Sequence, residues 1–363
     1  METSKNHFGL KIYFALSTLL GLMSIAKYFN MYSLQHDLGT FLNRFHMISW
    51  GAWEQAFVGH IEPAMLLWAF IFKVFPGELA TIFTLLSQSA VLTLPIIGLY
   101  RYYGWVPTVA FALYFPIWYN ALSDFHVDHL AVALLFAFFF FEKQGKLHLA
   151  IVMAVLMAFT KEIFALQAGF CGLYLALIQR HRIAGFCLAT YGVAFFLLDT
   201  LYLQKYFGSQ WAVATGGWNA FNVGASPYAW MGQSLKDVLL FCITEPHVVL
   251  FEIINDKQRM LFLFYTLGAL GFIPLLRPGV LLVTAPILLA SLLSSSHLHH
   301  SFTSHYSAGL IAPFIIAFSE GLPKVRELWK KAKLNSNLLQ PLLLASLVFF
   351  HVMLSPSPLG RKF

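Results

Sequence analysis

A chain of 363 residues that is 59% hydrophobic and only 11% charged cannot cover a soluble surface, which ordinarily carries roughly 25% charged residues. The formal net charge of +7 does not call for nucleic acid, because Lys and Arg gather in the cytoplasmic loops of membrane proteins. In lipid a backbone must satisfy its own hydrogen bonds, which leaves helices or a closed barrel.

Helices are predicted. Residues 79–100 carry no charge, and a membrane-crossing helix needs about 20 such residues, whereas barrel strands are shorter and alternate. In chain order, about 11 spans are expected, at 8–30, 79–100, 104–121, 127–141, 147–160, 163–179, 183–203, 260–276, 279–296, 305–319 and 336–354. The segment 63–75, PAMLLWAFIFKVF, is too short to cross and reads as an interfacial helix in the first outer loop. Segment 238–255, with Glu245 and Glu252 and then Asp256, is equally ambiguous. With no Ser/Gly linker, 1–363 reads as a single transmembrane domain, a core of about 8–205 followed by C-terminal helices over about 236–354. No cleavable leader is expected, because the first apolar stretch ends in no small-residue cleavage site. Cys171, Cys187 and Cys242 show no metal spacing and are expected in the core.

Orientation follows from the basic loops. With the N-terminus inside, the inner segments hold Lys5, Lys11, Arg101, Lys143, Lys146, Arg180, Arg182, Arg277, Lys324, Arg326, Lys330, Lys331 and Lys333, 13 of the 23 basic residues, as the positive-inside rule requires. Acids and histidines then fall on the other side. They are Asp37 in HDLG, His60 and Glu62 in GHIEP, the run Asp124, His126, Asp128 and His129 in DFHVDH, Lys161 with Glu162, and His297, His299, His300, His305 and Tyr306. Ionisable groups near membrane depth are costly and tend to be functional, so five segments converging on one face predict a polar site at the outer surface.

The order HDLGTF, GHIEP, Gln88, LYRYYG, DFHVDHL and AFTKEIF resembles an uncharacterised bacterial and archaeal family of predicted membrane proteins, itself similar to the GT-C glycosyltransferases, which include the protein O-mannosyltransferases and aminoarabinose transferases. The resemblance covers about 30–175, with an echo in SHYSAGLIAPF. It implies an all-α GT-C-like helical bundle in a prokaryotic cytoplasmic (inner) membrane. It also implies transfer of a sugar from a polyprenyl-phosphate donor to an acceptor at the outer face, with Asp37 and Asp124 as acidic motif residues. The soluble C-terminal domain of the larger enzymes is not expected from this sequence, which is where it departs from their pattern.

On that basis Asp37 is the expected general base, since an acceptor hydroxyl must lose its proton as it attacks; the plain alternative is a helix cap. His60, Glu62, His126, His129, Lys161, Glu162, His305 and Tyr306 are candidate substrate contacts. Each has a structural alternative: loop orientation for His60 and Glu62, a snorkelling head group for Lys161, a wet loop for the later histidines. If DFHVDH is helical, His126 and His129 share one face and Asp124 and Asp128 another. That spacing can hold a divalent metal or simply start a helix. Trp211, Trp218, Tyr228 and Trp230 read as an interfacial aromatic belt rather than a sugar platform. Residues 324–333, KVRELWKKAK, read as an anchor on anionic lipid. Membrane lipid, a lipid-linked sugar, an acceptor and membrane-protein partners are the expected partners, and nucleic acid is not. Two other functions stay open: a carrier or flippase for a lipid-linked or anionic solute, which would show internal repeats and a mid-membrane site, and a non-catalytic subunit that keeps the fold.

Overall fold

Apolar runs with few charges and their own internal hydrogen bonds give helices, and a computed structural model of residues 2–33, 37–57, 60–75, 77–207 and 226–362 shows helices and no strands among the residues described. Five are long and apolar enough to cross a membrane: Phe8–Phe29, Glu78–Tyr103, Arg182–Phe207, His305–Lys331 and Ser336–Leu354. Several expected spans are broken. Residues 104–121 divide at Tyr114 into α7 (Trp105–Leu113) and α8 (Phe115–Leu122), where Pro116 sits in the first turn of α8, the helical position that tolerates proline. Span 260–276 ends as a helix at Gly268, and the chain turns through Gly271 and Phe272, both at positive φ. The ambiguous stretch 238–255 is two short helices, Leu235–Thr244 and Pro246–Asn255.

The bundle is assembled around α1 (Glu2–Phe29), α5 (Glu78–Thr93), α9 (Asp128–Lys143), α10 (Leu147–Ala158), α11 (Glu162–Leu173), α12 (Arg182–Leu198), α18 (Ala308–Lys331) and α19 (Ser336–Leu354). In between lie α6 (Pro95–Tyr103), α13 and α14 (Leu235–Thr244, Pro246–Asn255), α15 (Lys257–Gly268), α16 (Pro278–Leu281) and α17 (Ala285–Leu293). Helix α18 is the most enclosed of the five long ones; its residues 308–319 are all buried. The tightest seam joins α11 to α12. A Cβ on Gly172 would stand 2.5 Å from the Gly185 carbonyl oxygen, and one on Gly192 would stand 2.5 Å from that of Ala165. Small residues that let backbones touch are the usual adhesive between helices in lipid, where apolar burial drives nothing.

Above one end of the bundle lies a second apolar cluster built from α2 (Asp37–Ser49), α3 (Trp53–Ala56) and α4 (Met65–Val74). Helix α4 is the helical part of the short apolar segment 63–75, ten residues long, burying Met65, Trp68 and Ala69 and exposing Leu67 and Phe70. At the opposite end of α9, about 22 Å away at 1.5 Å per residue, Lys143 lies over the Tyr103 ring, whose hydroxyl donates to Glu320 (3.1 Å). Acid–histidine chemistry and the basic loops therefore occupy different ends of the same helices. Cys171 is buried, Cys242 half-buried and Cys187 exposed, and none is in a disulfide; core placement holds for Cys171, and Cys187 is a correction, because only one face of α12 meets the bundle.

Candidate functional site

The segment between α8 and α9 is the centre of the polar end. It is not helical before Asp128, so the expected helical spacing over 124–129 is corrected. Its side chains nevertheless divide in alternation between two environments. Phe125 and Val127 enter the outer apolar cluster, where Phe125 meets Phe41, Phe45 and Trp68 edge-on at 5.1–5.3 Å. Asp124, His126 and Asp128 are the alternate residues, all buried among polar groups. The backbone is pinned from below: Gln88 accepts from the His126 N–H (3.1 Å) and donates to the Ala121 carbonyl (3.2 Å).

His126 meets two other segments. Its Nε2 lies 3.4 Å from Asp37 Oδ2, and its ring stacks on that of His305 at 3.5 Å and 21°. Asp37 is in the first turn of α2, favourable for an acid at a helix N-terminus, and His305 is in the short turn leading into α18. Asp37, His126 and His305 each offer a ligand atom within 4.8 Å of the others. Two imidazoles and a carboxylate form a recognised ligand set for divalent transition ions. His126 Nε2 is buried and forms no hydrogen bond of good geometry, with the Asp37 carboxylate 3.4 Å away as its polar neighbour. In a tetrahedral site, bonds of about 2.0–2.2 Å place two ligand atoms about 3.4 Å apart, and a metal lies in the plane of each imidazole it binds, so one of the stacked rings of His126 and His305 has to turn and the carboxylate has to approach before the three could share an ion. Asp37, 44% exposed, has room for it.

The other expected ligands are differently engaged. Asp124 accepts from Lys27 at the end of α1 (3.1 Å). Both His129 ring nitrogens lie 2.6 Å from backbone carbonyls, those of His126 and Asn120, which makes His129 a brace of the α8–α9 link. Asp128 Oδ2 is 3.9 Å from His126 Nδ1.

A second group adjoins. Arg44 of α2 spans the outer cluster, donating to Glu62 (2.5 Å), the Ala56 carbonyl (2.6 Å) and the His60 carbonyl (2.6 Å). His60 in turn contacts Glu162 (2.8 Å). Lys161, directly before α11, is 8% exposed and does not snorkel. Burial alone would lower its ammonium, but Asp128, Glu62 and Glu162 outweigh that and raise it, so it is charged at any ordinary pH. Tyr306 lies in the field of Lys161, and its ring packs on His299 (4.4 Å) and His305 (4.2 Å). His299 is pushed down to about 4, by burial first and then by Lys161 and His300. His297 faces His300 (3.4 Å), in a pair that adjoins Asp256 and Arg259 rather than the triad.

Tyr228 and Trp230 are hydrogen-bonded to the Ala290 and Leu293 carbonyls of α17, a structural use; Trp211 and Trp218 fall outside the described residues. Sequence reasoning passed over Lys27, Arg44 and Asp199. Asp199 is fully buried where α12 loosens into a π turn, in the field of Glu162, His60 and Glu62. The usable signal for Lys27 and Arg44 was the rarity of cations on the acidic side. Around the triad and the Lys161 group, the five carboxylates Asp37, Glu62, Asp124, Asp128 and Glu162 meet three cations, Lys27, Arg44 and Lys161, and each of the three is committed to carboxylates. The site as built favours a cation.

Among curated proteins and among solved structures, nothing matches the chain. One family model does, that of the predicted membrane proteins DUF2079, over residues 27–359. That range takes in every segment converging on the triad, from Lys27 to Tyr306, and the apolar helices that carry them have the character the description states, so the chain belongs to this membrane protein family.

Proposed function

We propose that the protein transfers a sugar from a polyprenyl-phosphate donor to an acceptor at the outer membrane face, with Asp37 as general base. The observation that carries this is exposure: of the five carboxylates at the site, Asp37 alone is substantially open, at 44%, while Glu62, Asp124 and Asp128 are at 5% or less. An acceptor hydroxyl can reach it. As the acceptor oxygen bonds to the anomeric carbon, its proton passes to Asp37, the bond from that carbon to the phosphate oxygen breaks, and polyprenyl phosphate leaves with the electron pair. His126, 3.4 Å away, orients the carboxylate, and His305 stacked behind it fixes that ring. A divalent ion bound by Asp37, His126 and His305 would supply the positive charge that a donor phosphate requires and that Lys27, Arg44 and Lys161 do not have to spare.

The test uses purified protein, a pool of polyprenyl-phosphate sugars and endogenous acceptors. Asp37→Asn keeps the size but cannot take the proton. Turnover should fall by about 100- to 10,000-fold, with an unchanged unfolding midpoint and retained donor binding. Full activity in D37N removes Asp37 from the chemistry. Metal content, measured after dialysis with the ion and compared with His126→Ala, tests the triad without any activity.

A second function, a carrier for an anionic or lipid-linked solute, draws on Asp199. Its carboxylate is fully buried at the end of α12 with Gln204 as its hydrogen-bonding neighbour, and a buried acid in a membrane helix is a usual mark of a proton or ion path. Proton-coupled uptake into proteoliposomes, lost in Asp199→Asn, would select it over sugar transfer.

A further inference from the structure

At the basic end of the molecule, α15, α18 and α19 do not close completely. The turn after α15, the last turns of α18 and the first turns of α19 flank an open apolar groove of about 340 Å³, walled by Phe272, Ile273, Val325, Leu342 and Leu343. A second groove of about 320 Å³ adjoins it and shares Trp329 and Leu339; its outer wall is polar and basic, with Arg326, Lys330, Ser336, Asn337 and Gln340. No carboxylate lines either one among the described residues. The nearby Glu327 is already held by Lys331 (2.6 Å). The partition is fixed in place, because Trp329 donates its indole N–H to the Asn335 carbonyl (2.9 Å) while Asn335 caps α19.

One wall is strained. Gly271 and Phe272 stand at φ +60 and +55. The first suits glycine, but a bulky side chain in the left-handed region is strained and persists where surrounding structure demands it. Here it turns the chain so that Phe272 and Ile273 line the apolar groove.

We infer that this paired groove is a binding site for one anionic phospholipid, its acyl chain in the compartment of Phe272, Leu342 and Leu343 and its phosphate against Arg326 and Lys330. The physical basis is matching along one axis: an apolar slot opening onto an uncompensated pair of cations, at the end of the bundle where Lys324 and Lys333 add further positive charge. A zwitterionic lipid fills the slot but gains no net charge attraction. A water-soluble phosphate has the charge and nothing for the slot. The site is at the opposite end of the bundle from the acid–histidine cluster and does not depend on the proposed sugar transfer.

The test is native mass spectrometry of the full chain released from neutral detergent, titrated with phosphatidylglycerol, with phosphatidylcholine of the same chains, and with glycerol phosphate. One phosphatidylglycerol should bind in preference to phosphatidylcholine, and glycerol phosphate should not bind. Each surface cation contributes about 1 kcal/mol to an anionic lipid, so Arg326→Ala with Lys330→Ala should weaken that adduct about 30-fold. Leu342→Trp, which fills the apolar compartment and keeps both cations, should also abolish it. Equal binding of the two lipids, binding of glycerol phosphate alone, or an adduct that survives either variant in folded protein would overturn the assignment.

Discussion

Arg44 should be the residue whose loss most damages the outer layer. Its side chain makes three short bonds, to Glu62 and to the carbonyls of Ala56 and His60, and so ties α2 to the chain that runs back into the bundle. The Glu62 side chain is 1% exposed. Arg44→Met conserves length and packing but leaves that carboxylate buried without its cation, together with two carbonyls without donors. Breaking a buried ion pair from one side costs about 3–5 kcal/mol. Removing both charges is a different matter, because a buried pair replaced by apolar groups of similar volume is often neutral or better. Arg44→Met with Glu62→Met should therefore be more stable than Arg44→Met alone, recovering about 2 kcal/mol or more. The assay is reversible unfolding of purified protein by SDS titration in mixed micelles, run as a double-mutant cycle. Single and double variants that add independently, or a loss below about 1 kcal/mol in Arg44→Met, would show that the pair does not hold the layer and that α2 reaches Asp37's position by packing alone.

Lys161→Met should destabilise at neutral pH, because Asp128, Glu62 and Glu162 lose the cation they surround, while Lys161→Arg restores most of the loss. The folded ammonium is held above its ordinary value, so its contribution is complete below pH 10.5 and should stay flat from pH 5 to 9 in a stability profile. His299 has the opposite sign: folded at about 4 against 6.5, it is protonated more readily in the unfolded chain, so stability should fall as pH drops from 6.5 towards 4. His299→Phe should flatten that part of the curve, and an unchanged slope would place the titration elsewhere. Gly185→Ala puts a Cβ against the Gly172 carbonyl oxygen and the Ala176 backbone; a loss of about 1–3 kcal/mol in the same SDS assay is expected, and a neutral result would mean the α11–α12 seam is looser than it stands.

Composition alone determined the class of this protein. Too few charges to wet a surface and long stretches without any leave apolar helices as the form in which the backbone can satisfy itself, and α1, α5, α12, α18 and α19 are where those stretches predict them. The segments of the polar site were also legible, because acids and histidines are expensive near lipid and therefore conspicuous. The sequence did not determine which of these side chains meet. The spacing of DFHVDH reads as helical if periods of three and four are sought, whereas the alternation of Phe125 and Val127 with Asp124, His126 and Asp128 is the pattern the folded chain uses. That choice depends on Phe41, Phe45 and Trp68 from distant segments being present to receive Phe125. Asp37 and His305, 268 positions apart in the chain, come together at one imidazole only because α2 lies over the bundle and α18 rises through its centre. Arg44, Lys27 and Asp199 look like ordinary charges in a linear reading. Their roles depend on burial, and burial depends on which helices pack together.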